Sequence, residues 1–324
     1  MRLLLLVVAS HGCAPVDGGA PPPGNRPTPS WQEPDHLPTG VHADVYLLDD
    51  DVGALVRYVP SSGTMTSTPL GATPGRFARA EGKVWVTLPA ERSIAVFDVR
   101  AGDFTRTATL ETGPEPLGIA VNADASRLYV ALATAEEVVE LDADGTALRA
   151  WSVPGLPSWL ALRPDGDGLY VGSATGGTLT WIDLGSGESS AVELPPTFIE
   201  HGAVAFPLAN RITGDLSVSA DGRLLAVPML MTDNQTPLDP PTTNEEEVDN
   251  GYASQNSANI NRFNPTIAMI PLGVDGAPDG RSAALALVSS QDEEGNLARS
   301  YLTSVAITPD GTMALGTMEA ARRL

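Results

Sequence analysis

Few side chains in this sequence could carry acid–base or metal chemistry. Of the four histidines, His11, His36 and His42 fall in the N-terminal 42 residues, and only His201 lies in the body of the chain, where it follows Glu200. A carboxylate beside an imidazole could exchange a proton with a substrate. A lone histidine is more often a loop residue, and it cannot form a multi-histidine metal site. We therefore predict no catalytic residue and no metal, and keep both residues as ligand-binding candidates.

Oxygen-bearing side chains are concentrated in the segment 232–264. Calcium prefers such ligands, but the spacing of an EF-hand loop is absent. We interpret the segment as a solvated acidic loop and predict no cofactor. The side chains concerned are Asp233, Asn234, Asp239, Glu245, Glu246, Glu247, Asp249 and Asn250.

Composition excludes several functional classes. The 40 acidic and 19 basic residues give a formal net charge of −21, which repels phosphate backbones and argues against a nucleic-acid partner. The single cysteine, Cys13, rules out a disulfide within the chain and a CxxCH haem site. Nucleophile elbows, P-loops and Rossmann glycine patterns are also missing. The motifs therefore indicate a binding protein rather than an enzyme.

Residues 1–13 have the pattern of a secretory signal. Met1-Arg2 precedes a short apolar run, and Gly12 stands directly before Cys13. The run is too short to cross a bilayer. The segment resembles a bacterial lipoprotein signal, which implies a diacylglycerol on Cys13 and an exported protein in the periplasm or at the outer membrane or cell surface. The alternative is an ordinary signal with an incidental cysteine.

Residues 14–42 are rich in proline and glycine. Such a segment cannot form a helix or a sheet ladder, and it reaches about 3 Å per residue. We interpret it as a tether between the anchor and a folded body at residues 43–324.

The body contains an internal repeat. Short apolar runs flank four turn signals, and Asp-Gly between apolar runs is a strong hairpin cue. In phase with them run Phe97-Asp98, Leu141-Asp142 and Ile182-Asp183, whose aspartates are 44 and 41 residues apart. This period matches a four-stranded propeller blade. The turn signals are Ala123-Asp124-Ala125, Pro164-Asp165-Gly166, Ala220-Asp221-Gly222 and Pro309-Asp310-Gly311.

Two copies carry a recognisable motif. Leu128-Tyr129-Val130-Ala131 and Leu169-Tyr170-Val171-Gly172, each followed by a small-residue turn and a V/I-x-D strand, resemble YVTN-type β-propeller repeats, which are related to WD40-like and quinoprotein-type propellers. The resemblance covers residues 43–324. It implies an all-β fold of four-stranded antiparallel blades, and it leaves function open because propellers host many activities.

The repeats predict strands A to D in each blade. The first copy supplies strands B (45–49), C (54–59) and D (64–70), and complete copies follow at 76–112, 117–153 and 158–194. The fifth starts near 214 and is interrupted by the insertion 232–264. The sixth gives strands A (303–308) and B (312–318). About five to six blades are visible, and because strand B would be redundant in a five-blade ring, we expect the ring to be incomplete.

The long connections gather on one face. D–A and B–C connections share one rim of a propeller, and the segments 195–213, 232–264 and 290–301 all belong to these two classes. Connections longer than about 15 residues in compact domains are usually functional or disordered. We therefore expect a binding site for a protein, glycan or small molecule on this rim. Its candidate residues are Glu200, His201, Arg211, Asp233, Asn234 and Arg262.

Two alternatives remain open. The stretch from Gly251-Tyr252 to Asn264-Pro265 resembles an insertion in bacterial propellers joined to di-haem cytochrome c peroxidase-like domains. That resemblance implies a redox protein whose haem domain lies outside this chain. A propeller hydrolase or lyase is the other alternative, and it would need an acid–base or metal cluster facing the channel.

Overall fold

The computed structural model describes residues 5–9, 44–59, 62–99, 104–201, 204–232, 263–287, 300–308 and 313–320. These residues form antiparallel sheets arranged as the blades of a β-propeller. The first strand is β1 (Leu5–Ala9), and blade 1 follows with β2 (Val45–Asp49), β3 (Ala54–Val59) and β4 (Thr64–Pro69). Blade 2 contains β5 (Phe77–Ala80), β6 (Lys83–Leu88), β7 (Ser93–Asp98) and β8 (Thr105–Glu111). Blade 3 contains β9 (Pro116–Val121), β10 (Arg127–Leu132), β11 (Glu137–Asp142) and β12 (Ala147–Ser152).

The second half continues the pattern and adds strands. Blade 4 contains β13 (Pro157–Leu162), β14 (Gly168–Ser173), β15 (Leu179–Asp183) and β16 (Ser189–Val192), and a hairpin of β17 (Phe198–His201) and β18 (Val204–Pro207) follows it. Blade 5 contains β19 (Ala209–Ile212), β20 (Ser217–Val218), β21 (Leu224–Thr232), β22 (Phe263–Pro271) and β23 (Ala284–Leu287). Blade 6 contains β24 (Ser300–Ile307) and β25 (Met313–Ala320). The described residues include no α-helix, only 3-10 turns at Pro89–Glu91 and Gly280–Ser282.

The predicted propeller is confirmed. Blades 2, 3 and 4 each pair four strands in chain order. Their bounds, 77–111, 116–152 and 157–192, lie within two residues of the predicted copies. Blade 1 has the three predicted strands, and in blade 5 both β19 and β20 pair with β21.

Aspartates fix the turns between strands C and D. The Oδ1 atom of Asp142 accepts hydrogen bonds from the N–H groups of Asp144 and Thr146, at 3.0 and 2.8 Å. The same atom of Asp183 accepts from Gly185 and Ser186, at 2.8 and 3.0 Å. These bonds, led by those from the Thr146 and Ser186 N–H groups, lower the pKa of both carboxyls. Because a carboxylate accepts backbone hydrogen bonds here, the repeated aspartate sets the turn.

Each pair of neighbouring blades encloses an apolar core, and the described residues form five such clusters. Both faces of an inner blade are therefore buried. Many other antiparallel sheets bury one face and expose the other to solvent. Tryptophans of the repeated strands lie at these contacts: Trp85, Trp151 and Trp159 are at most 9% exposed, and Trp181 is partly buried against the core between blades 4 and 5. Facing side chains include Leu55 and Phe97 for blades 1 and 2, Trp85 and Leu128 for 2 and 3, Trp151 and Ile182 for 3 and 4, Tyr170 and Leu225 for 4 and 5, and Ile267 and Leu302 for 5 and 6.

Blade 1 has one partly exposed face. Val45 lies opposite Tyr58, as Val84 lies opposite Phe97 in blade 2, so Val45 and Val84 are equivalent positions. Val84 is fully buried against blade 1, whereas Val45 is 42% exposed and Leu47, on the same face, is 43% exposed. Val56 lies opposite Leu47 and is only 7% exposed. The face of blade 1 that points away from blade 2 is thus partly open to solvent. The incompleteness of the ring stays a prediction.

The segment 195–213 differs from the predicted long connection. It contains the hairpin β17–β18, in which Phe198 lies opposite Pro207, and then β19, which pairs with β21. The apolar side chains of this segment are flanked by prolines, and proline normally demotes a strand to an edge or loop. The strands β17 and β18 form a separate hairpin, and β19 lies at the edge of its sheet. Both positions are ones that neighbouring prolines allow.

The N-terminal apolar run is placed on the last sheet. Leu5 pairs with Thr317 and Ala9 with Met313, so blade 6 contains strands from both ends of the sequence. The signal peptide at 1–13 and the tether at 14–42 stay predictions, and the turn Pro309-Asp310-Gly311 lies partly outside the described residues. No helix in the described part of the chain is long and apolar enough to cross a membrane.

Tyr170 offers a test of the seam between blades 4 and 5. Its fully buried hydroxyl donates a 2.7 Å hydrogen bond to the Gly276 carbonyl of blade 5. Tyr170→Phe leaves that carbonyl without this partner, and we expect it to lower the free energy of unfolding by about 1–3 kcal/mol. Equilibrium urea denaturation measures the loss.

The matched control is Tyr129→Phe. Tyr129 occupies the same position in blade 3 and is 4% exposed, but its hydroxyl bonds no other described residue. We expect this variant to lose clearly less stability. Equal losses in the two variants would contradict the role assigned to the Gly276 hydrogen bond.

Candidate functional site

Two features lie on the predicted rim. A strand A begins where a D–A connection ends, and a strand B ends where a B–C connection begins, so these strand ends share one face of the ring. Arg76 stands directly before β5, Asp215 lies two residues before the start of β20, and Thr232 ends β21. The D–A/B–C rim therefore carries a raised region on blade 5 and the mouth of the central channel.

The raised region, here called the blade 5 wall, is built by β19, β21 and β22. The strands β21 and β22 have nine residues each and pair along their whole length, from Leu224 with Pro271 to Thr232 with Phe263. The typical strand of the other blades has six residues. β19 pairs with the added part, Ala209 opposite Thr232. The wall thus leads directly into the insertion.

The β19 side of the wall is packed tightly against blade 4. A Cβ atom on Gly177 would lie 2.1 Å from the Asn210 carbonyl oxygen, so glycine alone allows the approach. Two buried polar atoms on this side, Asn210 Oδ1 and Thr213 Oγ1, have no hydrogen-bond partner among the described residues. Unpaired buried polar atoms cost about 1–3 kcal/mol each. This side of the wall is therefore polar and incompletely satisfied.

The structure places only some of the predicted binding residues. Glu200 and His201 end β17, opposite Ala205 and Val204. Arg211 lies on the wall, opposite Leu230, and is exposed. Asp233, Asn234, Arg262 and the lipid-attachment candidate Cys13 lie outside the described residues, as does the connection 288–299.

The channel mouth is a cavity of about 170 Å³ lined by residues of four blades. Across it, Arg76 of blade 2 donates from Nε to Oδ1 of Asp215 of blade 5, at 2.8 Å. The two side chains are 38% and 47% exposed. The remaining lining is mostly apolar and consists of Phe77, Gly118, Ile119 and Leu160.

The backbone positions both charged residues. Arg76 N–H donates to the Thr87 hydroxyl at 2.8 Å, and that hydroxyl donates to the Leu117 carbonyl of blade 3, also at 2.8 Å. The Asp215 N–H donates to Thr303 O, and the Val305 N–H donates to Asp215 O, both at 3.2 Å. Each charge is thus fixed at a seam between blades, on opposite sides of the channel.

The channel perturbs the Asp215 carboxyl. Burial raises its pKa, and the Arg76 guanidinium partly offsets the rise. Loss of hydration disfavours the charged carboxylate, while an opposite charge within hydrogen-bond distance favours it. Nearly half of the Asp215 side chain is exposed, so the described part of the protein satisfies the carboxylate only in part.

Sequence reasoning missed this pair, although a signal existed. Aligning strand A of the repeats puts Arg76, Gly118, Trp159, Asp215 and Ser304 at equivalent positions. Two opposite charges at a position that is otherwise uncharged indicate a contact across the ring. Only the curvature of the ring shows that blades 2 and 5 face one another.

A second groove lies away from this rim. It has a volume of about 340 Å³, is lined by Trp181, residues 190–193 and residues 277–281, and is crossed by the Arg281–Glu193 ion pair, whose side chains are 83% and 75% exposed. An exposed pair of this kind contributes little to stability. Among the described residues, no group of three or more His, Cys, Asp or Glu side chains could hold a metal ion.

The blades and channel define the chain as a β-propeller protein, and solved structures share this fold. A chain of hydrazine synthase from Kuenenia stuttgartiensis superposes with a TM-score of 0.60 at 17% identity, covering 84% of this chain and 70% of that chain. A candidate 6-phosphogluconolactonase from Bacteroides fragilis gives 0.51 at 14%, covering 85% and 72%. A chain of the mitotic checkpoint complex gives 0.50 at 14%, covering 86% and 71%.

The comparisons identify the fold alone. No protein-family model matches the chain, and no curated protein matches it. At identities of 14–17%, a shared propeller architecture does not transfer chemistry, because propellers host many activities.

The ion pair across the channel makes stability depend on pH. Burial raises the folded-state pKa of Asp215 above the ordinary value for an aspartate carboxyl. The contribution of Asp215 to stability is therefore greatest at low pH and is lost as pH rises through the folded-state pKa. In Arg76→Met this pKa rises further, so we expect about 1–2 kcal/mol less stability than wild type at pH 7, a value reduced for partial exposure.

Urea denaturation across pH tests this expectation. The wild-type and variant curves should converge as the pH falls toward 3.8, the unperturbed value for the carboxyl. The double variant Arg76→Met/Asp215→Asn has no carboxyl at this position. Its stability should therefore lack the pH dependence that separates the curves of wild type and Arg76→Met. Parallel curves for wild type and Arg76→Met would show that the pair does not control this titration.

Proposed function

We propose that the protein is an exported, lipid-anchored β-propeller that binds a protein, glycan or small molecule on the D–A/B–C rim, centred on the blade 5 wall. The observation that carries the proposal is the lengthening of β21 and β22 to nine residues, with β19 added at their side. These additions distinguish blade 5 from the regular blades 2 to 4, and the two long strands end and begin at the connection 233–262.

The wall has the properties of a binding platform. It is a paired sheet, so its backbone is rigid, and it presents the exposed Arg211. The unpaired buried atoms Asn210 Oδ1 and Thr213 Oγ1 mark a place where the propeller has retained polar groups at a cost in stability. Binding residues are commonly carried on loops held by a rigid scaffold.

The proposal of export and membrane anchoring is based on the sequence of residues 1–42. The arrangement of signal, Cys13 and proline-rich tether would hold the propeller off a membrane surface. Processing before Cys13 would also remove β1 from the edge of β25, where Leu5–Ala9 now pairs. The likeness to YVTN-repeat lipoproteins belongs to this proposal. The redox alternative, with a haem domain outside this chain, stays a prediction.

Replacing residues 233–262 with a short Gly-Ser turn tests the rim. The readout is binding of the purified protein to a glycan array and to fractionated bacterial envelope proteins. We expect signals given by the wild type to be lost while the urea denaturation midpoint of the body is retained. The control is Val274→Asn, since Val274 is 99% exposed on the C–D connection of blade 5, at the opposite rim. Retained binding after loop replacement would refute the proposed rim site.

Cys13→Ser tests the anchor. In a bacterium that processes lipoproteins, we expect the wild type to partition into the detergent phase of a Triton X-114 extract and the variant into the aqueous phase, because the lipid supplies most of the apolar area. Identical partitioning of the two proteins would show that Cys13 is not lipidated.

A further inference from the structure

Described residues bond only some of the hydrogen-bonding atoms of the Arg76–Asp215 pair. Its hydrogen bond joins Arg76 Nε to Asp215 Oδ1, and Arg76 Nη1 donates to the Gly75 carbonyl at 3.0 Å. No described residue bonds Arg76 Nη2 or Asp215 Oδ2. A guanidinium and a carboxylate usually pair through two parallel bonds when nothing else competes. Among the residues that the structure describes, a donor and an acceptor of opposite charge therefore have no partner, side by side, at the channel mouth.

The charges define the ligand. A free anion would meet the overall net charge of −21, and a free cation would meet Arg76. A ligand with both charges a few ångströms apart places its carboxylate on Nη2 and its ammonium on Oδ2, with no net charge to be repelled. The ammonium also supplies what Asp215 lacks, since burial raises the pKa of that carboxyl.

The walls and volume limit the side chain of the ligand. Phe77, Ile119 and Leu160 line the cavity below the pair, and its volume is about 170 Å³. Pockets for drug-sized ligands have volumes of about 300–1,000 Å³, so this smaller cavity suits a small molecule. Apolar walls with a small number of placed polar groups are the usual composition of a small-molecule site.

We propose that the channel mouth is a binding site for a small aliphatic α-amino acid, with Arg76 holding its carboxylate, Asp215 its ammonium group, and the apolar wall its side chain. The site is separate from the rim proposed above. It uses neither the wall nor the insertion.

Isothermal titration calorimetry with L-valine and L-alanine tests the proposal on the whole chain. We expect saturable binding, at least tenfold weaker for isovalerate, which is valine without the ammonium, for isobutylamine, which is valine without the carboxylate, and for L-tryptophan, which exceeds the cavity. Absence of saturable binding by both amino acids, or equal binding of isovalerate or glycerol, overturns it.

Variants locate the binding. Arg76→Met and Asp215→Asn should each weaken L-valine binding at least tenfold, whereas Arg281→Met, at the exposed pair with Glu193, should leave it unchanged. If a channel variant fails to fold, the ligand analogues on the wild type still decide the outcome. Replacement of residues 233–262 should leave L-valine binding intact, which separates failure of this site from failure of the rim. Unchanged binding by folded Arg76→Met and Asp215→Asn overturns the assignment.

Discussion

The contact between apolar faces of neighbouring blades is the interaction on which the rest of the molecule depends. Each inner blade buries both of its faces, so Trp85 packs toward blade 3 while Val84, next to it on β6, packs toward blade 1. Burial of apolar area contributes about 25 cal/mol per Å², and no single blade could obtain it alone. The stacking also sets the curvature that brings the strands A around a channel. Rim, channel and seams all follow from that curvature.

Polar groups at the seams fix the angle between blades. Glu140, 5% exposed, accepts from Arg149 at 2.5 Å and contacts Arg127 at 3.2 Å. Arg149 in turn donates to the Leu184 carbonyl, and Trp151 donates to that of Gly187, both in blade 4 and both at 2.9 Å. Apolar packing tolerates sliding, whereas these directional bonds do not. The rim residues therefore sit on a frame with little freedom.

The sequence predicted most of the fold and little of the channel site. Strands in blades 2 to 4 were predictable because their apolar runs and aspartate turns repeat at a constant period, and the capping by Asp142 and Asp183 follows from side-chain chemistry alone. The strands β17 to β19 were missed, since their apolar residues stand among prolines and have no counterpart in other repeats. The pairing of Arg76 with Asp215 depends on how far the ring turns between blades 2 and 5. That angle is a property of the packed cores and cannot be read from local pattern.

The bond across the channel joins residues 139 positions apart, and this separation has a consequence for folding. The strand pairs inside a blade close short loops, as between Lys83 and Asp98, so each blade can be organised from nearby sequence. The Arg76–Asp215 bond exists only when blades 2 to 5 are all stacked with native curvature. The entropy cost of closing a loop grows only with the logarithm of its length. Stacking of the blades between the two residues has already ordered this loop, so the bond itself adds little further entropy cost. The bond thus converts a series of neighbour-to-neighbour contacts into one cooperative unit, because loss of any blade between its partners also removes the link across the ring.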